Sequence, residues 1–167
     1  MCFHERPKEE DGVSKEKVLA DLKNSVGKET HVGEWVTVNQ DRINQFADAT
    51  DDHQWIHVDP VRAKRESPFK DAVAHGFLTL SLIPYLTGSV SREAPRYPGV
   101  KLAVNYGLNR VRFISPVKVN SRIRASSTLK EVQDVSGALQ LVNEVTVEVE
   151  GQPKPACVAE TVSRLYF

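Results

Sequence analysis

The chain has 167 residues, 40% of them hydrophobic and 26% charged, and its 22 Lys plus Arg balance 22 Asp plus Glu. That length suits one ordinary domain that buries roughly 70% of its unfolded surface. The balanced charge gives no global field toward nucleic acid or an anionic membrane, so neither is expected as a partner. The opening residues lack the apolar core of a signal peptide, and no run reaches the ~20 apolar residues of a membrane span. Two cysteines, Cys2 and Cys157, do not make a disulfide framework, and a reducing cytoplasm is the expected setting.

In chain order, the charged start, residues 1–13, is expected to be flexible, and one domain is expected over 14–167. Ser14 can cap a short helix in which Val18, Leu19, Leu22 and Val26 share a face before Gly27 ends it; this reads as a helix packed over the core. Trp35 to Val38 reads as a strand, and Asp41 to Ala49 as a helix with Ile43, Phe46 and Ala47 inward. A loop, Asp52 to His57, follows. Asp59-Pro60 has the form of an N-cap with Pro at the first helical position, opening a short helix through Ala63. Charge and Pro68 between Lys64 and Lys70 suggest an exposed loop.

From Gly76 to about Leu86 the residues leave hardly any polar face, which predicts a helix buried on most sides, ended or kinked by Pro84. Beyond a Pro/Gly-rich loop (Pro95, Pro98, Gly99) the pattern turns to alternation. Val104, Tyr106 and Leu108 keep one phase, Val111 and Phe113 the other, and a slip around Gly107 to Arg110 predicts a bulge. Three more strands are expected, about Arg122 to Val132, Leu139 to Glu150 and Pro155 to Tyr166, with turns at Ser136-Gly137 and Gly151-Gln152-Pro153. In the middle one, Leu139, Leu141, Val145, Val147 and Val149 oppose a polar face, as in an antiparallel strand with one wet side. One long apolar helix followed by an antiparallel meander is an α+β arrangement, and a sheet wrapped around that central helix, the hot-dog fold, satisfies it economically.

The run Asp51-Asp52-His53-Gln54-Trp55-Ile56-His57-Val58-Asp59-Pro60, followed by Ala74-His75-Gly76-Phe77-Leu78-Thr79, resembles the MaoC-like, (R)-specific enoyl-CoA hydratases. In those proteins a Gly-Asp-x-Asn-Pro-x-His loop precedes an Ala-His-Gly that begins a buried helix. The likeness covers most of the chain: Gln40 through Thr50 looks like the helix leading into the loop. Val104 to Phe113, like the first long strand, and the His53-Gln54-Trp55-Ile56-His57 variant resemble the nodulation-protein-N-like branch. The family's Gly before the Asp is Asp51 here, its Asn-Pro is Gln54-Trp55, and where some members carry a helix serine this chain has Pro84 and Tyr85, with Ser81 a turn earlier.

The resemblance implies a hot-dog enzyme that hydrates trans-2-enoyl-CoA to (R)-3-hydroxyacyl-CoA, or runs the reverse dehydration, without cofactor or metal. Adding water needs a base, an acid and donors for the enolate oxygen. Asp52 and His57 are the candidate catalytic pair; a carboxylate near an imidazole sets its charge and tautomer, and the two titrate together, so neither is assigned as base or acid. The bland alternative is a surface Asp and a loop His that cap turns. Gly76, His75, Gln54 and Asn105 are the candidate substrate-binding residues.

Gly76 opens a helix whose free amides favour negative charge, although a small residue under a neighbouring strand fits the same place. For His75 a cap or a core hydrogen-bonding role competes with a catalytic one. For Asn105, pairing with backbone at a bulge competes with reaching the site. His53 and His57, with Asp59 and His75 near, suggest a metal, but the pair is expected in a loop and no zincin Glu follows the first His, so none is expected. Arg62, Lys64, Arg65 and Lys70 read as phosphate contacts or as a solvated basic loop. Two rival functions stand beside the hydratase: a hot-dog acyl-CoA thioesterase, disfavoured because the helix after Gly76 has no acidic residue before Glu93, and a non-catalytic acyl-CoA-binding protein. An exposed sheet edge points to a homodimer, with the strand Asn105 to Phe113 at the interface.

Overall fold

The computed structural model describes residues 14–90 and 96–167. The expected flexible start with Cys2, and Glu93 and Pro95 of the loop, lie outside the described residues. The elements in chain order are α1 (Lys15–Ser25), β1 (Glu29–Val32), β2 (Val36–Val38), α2 (Gln40–Thr50), α3 (Trp55–Val58), α4 (Pro60–Glu66), α5 (Gly76–Ser81), α6 (Ile83–Leu86), β3 (Leu102–Phe113), β4 (Ser121–Val135), β5 (Ala138–Val149) and β6 (Cys157–Tyr166). The strands form one antiparallel sheet in the order β1-β4-β5-β6-β3, with β2 also paired to β4. The helices α5 and α6 pack on its inner face.

Local chemistry sets the ends. Ser14 caps α1 by accepting from the Lys17 amide, and Asn39 caps α2 by accepting from the Arg42 amide. Asp59 accepts from the Arg62 amide with Pro60 opening α4, which is the capping arrangement expected of Asp59-Pro60. The inner residues fall into two apolar clusters. One gathers Ile43, Leu78, Ile83, Leu86, Ile123, Val145 and Val147; the other holds Val18 and Leu22 of α1 against Leu129, Leu139, Leu141 and Leu165. Each fully buried Ile or Leu contributes about 1.5–3 kcal/mol.

Several expectations need correction. Strand β1 was not foreseen: Gly33, just after it, lies so close to the end of α6 that an added Cβ would sit 2.1 Å from the Leu86 carbonyl oxygen, and its amide donates to Ala125 O. His57 lies on the short helix α3 and not in a loop. Helix α4 runs on through Lys64 and Arg65 to Glu66, and Ser67 after it is fully buried, so the exposed loop is shorter than expected.

The central helix is two short helices broken at Leu82. Pro84 has no amide to give Leu80, while Leu82 and Leu86 keep their i−4 bonds to Leu78 and Leu82. Nor is it buried on most sides. Phe77 (68% exposed), Ser81 and Tyr85 (58%) are four apart and form an outward stripe. The bulge is present as two register shifts in the β3–β6 ladder, between Asn105 and Gly107 and between Leu108 and Arg110. β4 and β5 zip to Val135 and Ala138 around Gly137, further than expected.

Candidate active site

Helix α2 ends on Asp51, whose φ of 58° and ψ of 16° are left-handed. That conformation is cheapest for Gly, and Asp tolerates it better than most residues. The family's Gly therefore answers a backbone need that Asp51 meets in this chain. The turn delivers Asp52, whose Oδ1 is held by the Gln54 amide at 3.4 Å while its side chain stays 55% exposed. The Gln54 carbonyl in turn accepts from the His57 amide, which starts α3; the Gln54 side chain itself is exposed and makes no cap.

His57 is only 8% exposed and stands at 2.6 Å, through Nδ1, from the Val73 carbonyl oxygen. A carbonyl can only accept, so Nδ1 carries the proton and Nε2 keeps a lone pair in the neutral ring. Burial pushes the His57 pKa below the usual histidine range; His75 acts in the same direction, against the opposing pull of the Val73 carbonyl and Asp52. His57 is thus neutral at neutral pH. Gln40, at the start of α2, donates through Nε2 to the His57 carbonyl at 2.7 Å and to Asn44 Oδ1 at 2.8 Å, tying α3 to α2.

His75 is 3% exposed and donates through Nε2 to the Asp52 carbonyl oxygen at 2.9 Å, with Asp52 Oδ2 at 3.9 Å. It makes no side-chain cap; it is a core histidine that holds the Asp52 turn. Its ring stacks on His57 with centroids 3.7 Å apart and meets Phe46 at 5.1 Å, and its Nδ1 is buried without a partner. Gly76 follows at the start of α5, where the amides before Thr79 have no intrahelical acceptor. An added Cβ at Gly76 would lie 2.9 Å from the Phe113 ring, so the glycine also answers to packing.

The fold therefore brings Asp52, His57, His75 and Gly76 together and leaves other candidates aside. Asn105 lines a cavity further along α5 and α6. His53 turns outward to Asp48 Oδ1 at 2.9 Å, a bond that raises its pKa. Arg62 is spent on Glu66 and on the face of Trp55, and Arg65 on Glu66. Asp52, His57 and His75 each offer one ligand atom within 4.8 Å of the others. The two imidazoles are stacked, however, with centroids 3.7 Å and planes 26° apart, so their in-plane lone pairs lie in offset planes, a poor arrangement for sharing one ion. Two of their nitrogens already face carbonyl oxygens. No hydrogen bond or ion pair among the described residues joins Asp52 to His57.

What sequence reasoning missed here is Gln40 and the carbonyls of Val73 and Asp52. Gln40 stands at the helix N-terminus before a polar Asp41-Arg42, and nothing in that pattern distinguishes an inward amide from a solvated one.

The family model of the MaoC-like domain matches residues 21–151. The 3-hydroxyacyl-thioester dehydratase Z of Mycobacterium tuberculosis is 52% identical over 147 residues, covering 87% of this chain and 94% of that protein. Nodulation protein N of Rhizobium leguminosarum bv. viciae is 48% identical over 151 residues, covering 89% and 91%. Among solved structures, the R-hydratase PhaJ1 of Pseudomonas aeruginosa superposes with a TM-score of 0.63 at 18% identity over 84% of this chain and 81% of that one, a likeness of fold that agrees with a hot-dog sheet. No helix among the described residues is long and apolar enough to cross a membrane. With the family model spanning most of the chain and a relative of this identity matched almost end to end, the chain belongs to the MaoC-like dehydratase family and is an enzyme of the hydro-lyase class.

Proposed function

We propose that the protein adds water to a trans-2-enoyl thioester to give the (R)-3-hydroxyacyl thioester, and removes it in reverse, with Asp52 and His57 as the catalytic pair. The observation that carries this reading is the buried His57, its Nδ1 committed to the Val73 carbonyl and its pKa lowered, with one of its ring nitrogens within 4.8 Å of an Asp52 carboxylate oxygen beside the start of α5.

A water between the two donates one O–H to Asp52 and the other to His57 Nε2. Its oxygen attacks C3, the pair takes one proton, and that proton is delivered to C2, so nothing is consumed but water. The double-bond electrons pass through the enolate oxygen, and the free amides of α5, opened by Gly76, are the donors that stabilise it. His75 fixes the turn that presents Asp52, and Gly76 lets the thioester approach. The acyl group is carried as a CoA or acyl-carrier thioester.

The active unit is a homodimer. Among the described residues β3 is an edge strand, paired only to β6, on which Leu102, Tyr106, Leu108 and Phe113 are exposed, and Phe77 of α5 lies against Phe113 with ring centroids 5.8 Å apart. A second copy on this edge removes the liability of an open apolar strand next to the site.

Purified protein with a trans-2-enoyl-CoA should lose the enoyl absorbance without releasing free thiol, and chiral analysis should return the (R) alcohol. Release of thiol would mark a thioesterase. An (S) product, or no reaction with any chain length tried, would sink the reading.

A further inference from the structure

Along the inner face of the sheet the apolar alternation is interrupted at one latitude on four neighbouring strands. Ser127 stands between Ala125 and Leu129 on β4, and Asn143 between Leu141 and Val145 on β5. Thr161 and Ser163 stand between Ala159 and Leu165 on β6, and Asn105 lies beside them on β3, paired to Ser163. The ladder explains the alignment: Asn143 is opposite Thr161 and Leu141 opposite Ser163. The band is the seam between the two apolar clusters of the core.

These five residues line a cavity of about 790 Å³ roofed by α5 and α6 from Leu80 onward. By helix rise, Leu80 lies about 6 Å along the axis from Gly76, so the cavity begins one turn beyond the proposed reaction centre.

The polar groups in it are unspent. Among the described residues the side chains of Asn105, Ser127, Asn143 and Ser163 have no hydrogen-bond partner, and Thr161 has only a long contact to the Asn143 carbonyl at 3.4 Å. Ser127 is buried, Asn143, Thr161 and Ser163 are half-buried and Asn105 is exposed, so their polar groups are open to whatever fills the cavity, while apolar residues at the four inner places would join the two clusters into one core. Polar residues repeated on four neighbouring strands, all facing one cavity, therefore point to a ligand that pairs with them. Asn and the hydroxyls both donate and accept, which matches an uncharged group. The cations that line the cavity, Arg96 and Lys101, are exposed, and Arg96 is engaged by the carbonyls of Thr87 and Thr30.

We propose that this cavity takes an acyl chain bearing an uncharged hydrogen-bonding substituent, a hydroxyl or oxo group, several carbons beyond the thioester. The proposal rests on the hydratase reading for the position of the thioester. It names the substrate class of that same site.

The test uses unreactive probes first. Saturated decanoyl-CoA and its isomers with a single hydroxyl in the distal half are titrated calorimetrically into the full-length protein and into Asn143→Leu/Thr161→Val. The best hydroxylated isomer should bind the wild type about tenfold or more tighter than decanoyl-CoA, and the double variant should reverse the order while melting no lower than wild type. The matching 2-enoyl-CoA pair should then rank the same way in kcat/KM. Equal binding of decanoyl-CoA and every hydroxylated isomer by the wild type would overturn the proposal, with no appeal to a variant. So would a preference for an ω-carboxyl chain, or a double variant that weakens both probes alike. Binding preference without hydration of either enoyl chain would refute the hydratase reading and leave the cavity's ligand class standing. Hydration of the plain chain without the preference would do the reverse.

Discussion

Asparagine at position 57 separates the two jobs that His57 performs. The Nδ1–H donates to the Val73 carbonyl at 2.6 Å in a nearly dry setting, and the opposite nitrogen, Nε2, is the proposed proton acceptor. An Asn side chain places an N–H near the position of Nδ1 but has nothing at Nε2. His57→Ala removes both, and an unpaired buried carbonyl costs about 1–3 kcal/mol. For a domain of this size each kcal/mol moves the melting point by about 2–4 °C. His57→Ala should therefore melt about 2–12 °C below wild type, while His57→Asn recovers most of that difference. Turnover should fall about 10²- to 10⁴-fold in both variants, because a positioned acid–base group is lost in each. Melting curves and the enoyl-absorbance assay on the same preparations give the comparison. A folded His57→Asn that turns over within a few-fold of wild type refutes the catalytic assignment. An Asn variant as destabilised as the Ala variant refutes the Nδ1-protonated tautomer.

Asp52→Asn keeps the acceptor for the Gln54 amide and should also lose about 10²- to 10⁴-fold in turnover with little change in melting; a folded, active Asp52→Asn would remove Asp52 from the pair. Burial lowers the His57 pKa in the folded state, so the unfolded chain takes up a proton first as pH falls. The stability His57 contributes is then complete above its unfolded value, near 6.5, and is lost as pH drops through the folded one. Denaturant midpoints across this window should fall toward acid less steeply in His57→Asn than in wild type, and an unchanged slope would contradict the shift. Asp51→Gly relieves a left-handed residue and should raise stability by about 1 kcal/mol by urea unfolding; an unchanged or lower midpoint would contradict the strain argument. Leu108→Asp on the exposed edge of β3 should lower both the sedimenting mass toward 18.7 kDa and the activity; a dimeric, fully active variant places the interface elsewhere.

The sheet was legible in the sequence because the inner faces of β4, β5 and β6 alternate over long stretches, and even the phase slip near Gly107 announced a bulge that the ladder shows as two register shifts. The break of the central helix was legible in Pro84. Its outward stripe was not, since Phe77 and Tyr85 are apolar and hydrophobic periodicity alone does not distinguish a face turned to the core from one left uncovered. β1 was hidden for a similar reason: Glu29-Thr30-His31-Val32 has no alternation, and it pairs as an edge whose exposure pattern leaves little for hydrophobicity to mark.

At the site, side-chain chemistry was legible and backbone partners were not. The motif put Asp52, His57, His75 and Gly76 in one neighbourhood, but what sets the tautomer of each imidazole is a carbonyl oxygen, at Val73 for His57 and at Asp52 for His75. Every residue supplies a carbonyl, so no spacing rule selects those two; only the turn at Asp51 and the entry into α5 bring them to bear. The consequence runs back to the reaction. Both rings spend an N–H on the backbone, so Nε2 of His57 keeps a lone pair, and in the proposed reaction a water between it and Asp52 would find an acceptor on either side. Such a water would hydrogen-bond to both members of the proposed pair and leave its oxygen lone pairs for carbon. Addition of water by the proposed pair would then depend on the backbone as much as on the motif: a substitution that shifted the Val73 carbonyl would let the imidazole flip, turn an N–H toward the water, and slow the reaction while every motif residue stayed in place.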